Sequence, residues 1–393
     1  MSAIDGRAQT TLAVIAEDWV FEPIARIDDN DALVPVLASV IELDGPHRAR
    51  FKLRPGATFS DESPVTFESL KSSLDESAGF SLSMSGEWIL ADNEKQGGPI
   101  DAALLPMQVR KKDGNRFLGT GPFVVVGQDD RHALLKRRVS VPGKIDQIEL
   151  DSIPTNREAM ARALRGELQV LPRIEPRNLE FFEHVTKLRV IHGASPQGAA
   201  LFLGAKRLSA EERLALLQGI DIKELRNTAY GDTCASLGHA AETRPLPPGR
   251  KLDVIAPEID DDFLRLGLAT RRSLGMRGGQ LLRLPLEQAF AAMKSGDYDL
   301  FAAPILMRPQ SMFSVAFRQG PRSLLPPGYA NAELERAAEN NDHAGMMKAI
   351  EADPPLIFVC QPERYTLVDS RLKGARVGPW GLLETLPNWE VGE

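Results

Sequence analysis

Histidine is the side chain best suited to metal ligation or proton transfer near neutral pH, and this chain has six, at positions 47, 132, 184, 192, 239 and 343. No two stand as H-x-H or H-x-x-x-H, so no zinc motif is present. Lone histidines of this kind read as satisfied surface groups. The two cysteines, Cys234 and Cys360, lie far apart and form no C-x-x-C. A metal knuckle and a redox motif are therefore both unavailable. Two buried thiols are the expected state, with a single disulfide as the alternative. No G-x-S-x-G nucleophile elbow occurs. Gly119-Thr120-Gly121 is followed by Pro122 and not by the glycine-rich start of a helix, which excludes a dinucleotide or phosphate loop. Asp260-Asp261-Asp262 is a carboxylate cluster, but it opens a predicted helix, where acids favour the dipole. The residues thus point to recognition and away from turnover: no enzyme, no metal and no cofactor is expected.

The bulk composition agrees. The chain has 393 residues, 43% hydrophobic and 26% charged, with a net charge of −7. That length and apolar content suit two or three globular domains. The acidic balance gives no support to nucleic-acid binding. The densest basic run, Lys136-Arg137-Arg138, is too short for a nucleic-acid footprint and reads as a solvated strand edge. No apolar run approaches the roughly 20 residues of a membrane-spanning helix. The stretch Met1 to Thr10 lacks the basic-then-apolar layout of a signal peptide. Either a leader has been removed, or Met1 is the native start and the protein is cytoplasmic.

The positioning elements follow from periodicity. Thr11-Leu12-Ala13-Val14-Ile15-Ala16 is an apolar opening strand, and Leu33 to Ile41 a second apolar segment. Arg48 to Leu53 alternates as a half-buried strand and stops at Pro55-Gly56. Thr66 to Leu74 reads as a helix, and Ser77 to Lys112 as loops with short elements. Strands at Phe123–Val126, His132–Arg138 and Ile145–Ile153 precede a helix over 156–166. The pattern then restarts. Strands at Leu252–Ala256, Gln280–Leu284 and Leu300–Pro304 alternate with helices at Asp260–Leu274 and Leu286–Ser295, an α/β wound unit. A helix pair over Ala330–Glu339 and Asp342–Ala352 leads into a return strand, Leu356–Cys360. Two α/β halves joined by crossing strands make a natural hinge, and the cleft between such halves is a common ligand site.

Within this frame Phe51-Lys52-Leu53-Arg54-Pro55-Gly56-Ala57-Thr58-Phe59-Ser60-Asp61, completed by Ser63-Pro64-Val65-Thr66, resembles the signature of family 5 extracellular solute-binding proteins. These are the dipeptide and oligopeptide binders of ABC importers. Glu62 stands where that signature has Gly. The likeness continues in order through Gly119-Thr120-Gly121-Pro122-Phe123, the segment Ile148 to Leu168, Leu274-Gly275-Met276, Ala292 to Asp299, Pro327 to Leu334 and Asp353 to Ile357.

The resemblance implies an α/β, two-lobed, periplasmic-binding-protein-like clamshell with a hinge (type II, cluster C-like). Lobe I is expected over 1–196 plus 366–393, with a loop-rich subdomain at about 45–118, and lobe II over 197–365. It implies the solute-binding component of an ABC importer: a monomer, periplasmic or otherwise extracytoplasmic, with a small-molecule or peptide ligand and membrane permease subunits as partners. A cytoplasmic ligand sensor and a degenerate, non-transporting paralogue are the alternatives.

The chain departs from the pattern where ligand is held. It is shorter than typical members, and Glu22-Pro23-Ile24 is not followed by Asp-Pro. Peptide binders carry an acid-rich segment for the ligand's amino terminus after the Asp-Tyr-Asp strand. Here Pro304 to Gln310 carries Arg308 and no acid. Arginine in that place favours a carboxylate, phosphate or sulfonate. The candidate ligand-contacting residues are Trp19 and Trp88 as flat stacking surfaces, Arg308 as the charged group, and Phe202, with Glu17 and Gln310 as flanking residues. Against these stand ordinary roles: Trp19 packing at a loop base, Phe202 in the core, Arg308 on the surface. Trp380 and Trp389 are expected to pin the tail to lobe I.

Overall fold

In the computed structural model the described residues are 17–73, 80–93, 99–105, 107–114, 116–129, 131–237, 243–258, 261–308, 310–318, 323–378 and 382–392. Thr11–Ala16, Asp260 and Trp380 lie outside them. The chain divides into two units, 1–193 with 364–393 and 194–363. The boundaries read from sequence were 196/197 and 365/366.

In the first unit the segment Ser77 to Lys112 contributes short elements, two of which join a four-stranded sheet. Strands Ala38–Leu43, Arg48–Leu53, Trp88–Asp92 and Ser81–Ser85 lie side by side in that order. Alternation decides which face is buried: Ala49 and Phe51 point into a core with Ile89, Ala91 and Phe59, while Arg48 and Arg50 point out. A second sheet orders Gln147–Asp151, His132–Arg137 and Phe123–Gln128. The helix Asn156–Leu164 follows, its first turn capped by Thr155, whose hydroxyl accepts the Glu158 N–H. Its buried face is the small pair Ala159 and Ala163, Met160 packs against the same core as Ala163, and Leu164 is exposed.

The turn after Phe59 carries a local cost. Glu62 has φ +68° and donates its N–H to the Phe59 carbonyl at 3.0 Å. A left-handed conformation costs a side-chain-bearing residue roughly 1–2 kcal/mol, offset in a glycine by about 0.5–1 kcal/mol of extra chain entropy. Glu62→Gly is therefore expected to raise stability by up to about 1 kcal/mol. Urea denaturation checks this, and a loss of stability would show that the Glu62 side chain makes a compensating contact.

The second unit is built on a sheet buried on both faces. Gln197–Leu203 runs antiparallel to Leu300–Leu306 and to Leu356–Asp369, and Leu252–Pro257 pairs in parallel with Leu300–Leu306 and Gly278–Leu284. Such strands need continuous apolar sequence, which Ala199-Ala200-Leu201-Phe202-Leu203 supplies. Asp261–Ser273 covers one face and Leu286–Ser295 the other. The motif residues here act as scaffold. Gly296 ends its helix at φ +69°, Asn331 caps Ala332–Glu339 by accepting the N–H groups of Glu333 and Leu334, and the Tyr329 hydroxyl donates to the Asp353 carbonyl at 2.6 Å. Arg250 donates two hydrogen bonds to Asp299, at 2.7 and 2.8 Å. Burial alone would raise the Asp299 pKa, but Arg250 holds it below the usual value.

Candidate functional site

Glu17 and Trp19 belong to a helical turn, residues 17–20, where the sequence suggested the end of a strand. The glycines of the Gly-Thr-Gly-Pro segment lie directly against it. Gly121 donates its N–H to the Val20 carbonyl at 2.8 Å. A Cβ on Gly119 would come within 1.9 Å of the Val20 oxygen, and one on Gly121 within 2.2 Å of the Trp19 oxygen. Ser60 N–H in turn donates to the Gly119 carbonyl at 3.0 Å. Arg138 fastens the junction, donating to the carbonyls of Phe59 (2.6 Å), Thr58 (3.1 Å) and Thr120 (3.3 Å) and to the Thr58 hydroxyl (3.0 Å). The first two sequence motifs therefore meet in space, and Arg138 is their clamp. This corrects its reading as part of a solvated strand edge.

That junction consumes the residues it positions. Trp19 is 1% exposed and packs in a core with Phe21, Phe123 and Trp389. Glu17 is buried. Between them, burial raises the Asp18 carboxyl above its ordinary pKa, and Arg26 and Gln108 partly counter this. Trp389 anchors the tail in the same core, its indole N–H donating to the Thr385 hydroxyl at 2.9 Å.

Trp88 lies on a strand and not in a loop. Its ring is flanked by the Arg50 guanidinium at 4.6 Å and the Lys52 ammonium at 5.0 Å from the ring centroid. Those cations are themselves paired, Arg50 with Glu42 and Lys52 with Glu87. The indole is thus engaged by its own sheet through cation–π contacts.

In the second unit Phe202 is fully buried between its register partners Phe301 and Leu356, a core position. Arg308 differs. It is half-buried and stands two residues beyond Leu300–Leu306, and Gln310 opens the helix Gln310–Ala316 just after it. The register pairs Gln197 with Leu306, and Met307 N–H donates to the Pro196 carbonyl at 2.9 Å. Arg308 therefore lies just beyond the end of this sheet that carries Gln197.

This end is heavily braced. Ser195 N–H donates to the Pro362 carbonyl at 2.9 Å, and the Gln361 side-chain amide returns a bond to the Ser195 carbonyl at 2.7 Å. Cys234 and Cys360 form a disulfide, which overturns the expectation of two buried thiols. The two approach because Cys234–Ser236 pairs antiparallel with the return strand, with Cys234 opposite Pro362 and Ser236 opposite Cys360. The Cα atoms of the two cysteines are 5.6 Å apart, within disulfide range. Neither Ser195 nor Gln361 stood out in the sequence, because their roles come from backbone partners more than 160 residues away. Trp19 and Phe202 are buried in cores and Trp88 is engaged by its own sheet, while Arg308 is half-buried beyond a strand end.

A cavity of about 400 Å³ lies within the first unit, with Trp19, Ile148, Leu150, Val170 and Leu386 among its apolar walls. The charges at its rim are matched internally. Arg162 is bonded to Asp151 (2.8 Å) and Glu167 (3.2 Å), and Arg371 to Asp369 (2.8 and 3.0 Å). Among the described residues no group of three or more His, Cys, Asp or Glu is placed to hold a metal ion, and no helix is long and apolar enough to cross a membrane.

Neither a family model nor a curated protein sequence matches the chain. Solved structures do, over its full length. AgaA from A. tumefaciens R10, in complex with agropinic acid, superposes with a TM-score of 0.81 at 15% identity, covering 100% of this chain and 97% of that one. A dipeptide-binding protein from Pseudoalteromonas sp. SM9913, in complex with Met-Leu, gives a TM-score of 0.81 at 13% identity, covering 99% and 98%. NikZ from Campylobacter jejuni, in complex with Ni(L-His), gives 0.79 at 14% identity, covering 99% and 97%. The chain has the mixed α/β fold of periplasmic binding proteins, shared with binders of peptides, opines and nickel complexes.

Proposed function

We propose that this protein is the solute-binding component of an ABC importer, and that it captures a small anionic solute or short peptide without chemical change. The observation that carries the reading is the whole-chain fold likeness to proteins crystallised with agropinic acid, a dipeptide and a nickel–histidine complex. Fold alone does not fix function, and the placement of Arg308 adds a local reason. Its guanidinium presents a planar fork suited to a carboxylate, phosphate or sulfonate. The bonds around Ser195, Gln361 and the disulfide tie down strands beside the one that precedes Arg308, which supports a site that loses little freedom on binding.

Transport follows from linkage. A solute that binds one conformation better than the others shifts the population toward that form. The permease subunits in the membrane recognise it. The disulfide supports an extracytoplasmic location, where such bonds persist.

Native mass spectrometry of freshly purified protein would identify a co-purified solute, and titration calorimetry would give its affinity. Arg308→Ala is expected to weaken binding by about 30- to 1000-fold, the loss of roughly 2–4 kcal/mol for a charge-assisted pair. Arg308→Lys should retain part of it, and far-ultraviolet circular dichroism should not change. Undiminished affinity in Arg308→Ala would remove Arg308 from the site.

A further inference from the structure

The hairpin that joins His132–Arg137 to Gln147–Asp151 ends in an apolar tip that belongs to none of the first unit's cores. Val139 is 73% exposed and Val141 41%, and Pro142 and Gly143 are exposed beside them. Val391, 53% exposed, joins the tip, its N–H donating to the Gly143 carbonyl at 3.0 Å. A single exposed valine is ordinary. Three gathered at one turn form a patch, because valine favours strands and gains little in a turn.

The tip is held firmly. Lys144 N–H closes the turn on the Val141 carbonyl at 3.0 Å, Gly143 takes φ +78°, and the Ser140 hydroxyl donates to Asp146 at 2.9 Å. The tail fastens it from the side. Lys144 Nζ donates to the Asn388 carbonyl (2.8 Å) and to the Glu390 carboxylate (2.9 Å), and Arg137 donates to the Pro387 carbonyl at 2.8 Å. The valines are thus presented on fixed backbone, and little chain entropy is lost when they are covered.

Charge around the tip is predominantly positive. Lys136, Arg137, Lys144 and Lys373 stand against Asp146 and Glu390, in a chain whose net charge is −7. Strand pairing sets Lys373 opposite Glu390, so one carboxylate is shared by Lys144 and Lys373. Charges farther away than about 8–10 Å are largely screened in physiological salt, so an approaching surface meets this local excess and not the acidic whole. We propose that the tip docks on an anionic lipid surface, its valines entering the headgroup boundary and its cations meeting lipid phosphates. A protein socket fits less well, because a specific protein interface buries roughly 1,000 Å² or more, which three valines and a proline do not approach. On a membrane, apolar side chains and basic residues add their contributions without fixed partner geometry.

Vesicle co-sedimentation of the intact chain tests this, independently of the solute reading. Binding to vesicles with about 30% phosphatidylglycerol should be about tenfold or more tighter than to pure phosphatidylcholine. Lys136→Gln with Lys373→Gln should weaken it by about 30-fold, each basic residue near an anionic surface adding roughly fivefold. Val139→Ser with Val141→Ser should weaken it by about tenfold. Solute affinity and the urea midpoint should not change in either variant, since all four side chains are exposed. In the unsubstituted protein, amides of 139–143 should exchange more slowly on the anionic vesicles. No binding to those vesicles would overturn the proposal and turn attention to an acidic protein partner. Equal binding to phosphatidylcholine, or undiminished binding by the valine variant, would overturn it as well.

Discussion

Gly121→Ala is expected to cost about 3 kcal/mol or more and to lower the yield of folded protein sharply. The added Cβ would sit 2.2 Å from the Trp19 carbonyl oxygen, and both groups belong to backbone that cannot rotate away. Relief requires moving the 17–20 turn by most of an ångström, which breaks the Gly121 N–H bond to Val20 and disturbs the Trp19 packing. Overpacking of this kind, where the obstacle is main chain, lies at the severe end of point substitutions. Gly127→Ala provides the control. Its Cβ would meet only the Leu134 Cβ, at 3.9 Å, an ordinary contact, so the change should be near neutral. Denaturant titration of both proteins separates the steric argument from a general intolerance of strand glycines. A Gly121→Ala protein within 0.5 kcal/mol of the parent would refute it.

Removing the Cys234–Cys360 disulfide is expected to cost the second unit about 4–5 kcal/mol. The bond closes a loop spanning 126 residues, and the chain-entropy relation gives roughly that figure for a loop of this length. The loss should also reach the recognition edge, because Cys360 directly precedes Gln361, which holds the Ser195 carbonyl. The double substitution of Cys234 and Cys360 by Ser should therefore lower both the unfolding midpoint and the solute affinity. Mass spectrometry after alkylation offers an independent check. Unreduced, denatured protein should take up no label, and two labels per chain would show that the cysteines are free thiols.

The order of α/β elements in the second unit was legible in the sequence, because alternating apolar runs and amphipathic helices, punctuated by Gly296 and by Pro354-Pro355, depend only on local chain physics. The motif likeness carried the fold for the same reason: Gly56, Gly119, Gly121 and Gly296 mark backbone reversals and close approaches that a sequence must encode at fixed places. Strands Ser81–Ser85 and Trp88–Asp92 were not legible, because a serine-rich five-residue segment and a short apolar run of the same length gain strand character only by pairing, the first with the second and the second with Arg48–Leu53. Side-chain roles depended still more on tertiary structure. Trp19 and Arg308 were both candidates, yet the Gly-Thr-Gly segment seals the first into a core while the second stands half-buried just beyond a strand end. Arg138 and Gln361 acquired their roles from carbonyl groups 79 and 166 residues away. Sequence alone determines which groups a chain can offer and where its backbone must bend. Which of those groups become buried, clamped or presented is decided by partners that only folding brings within hydrogen-bond reach.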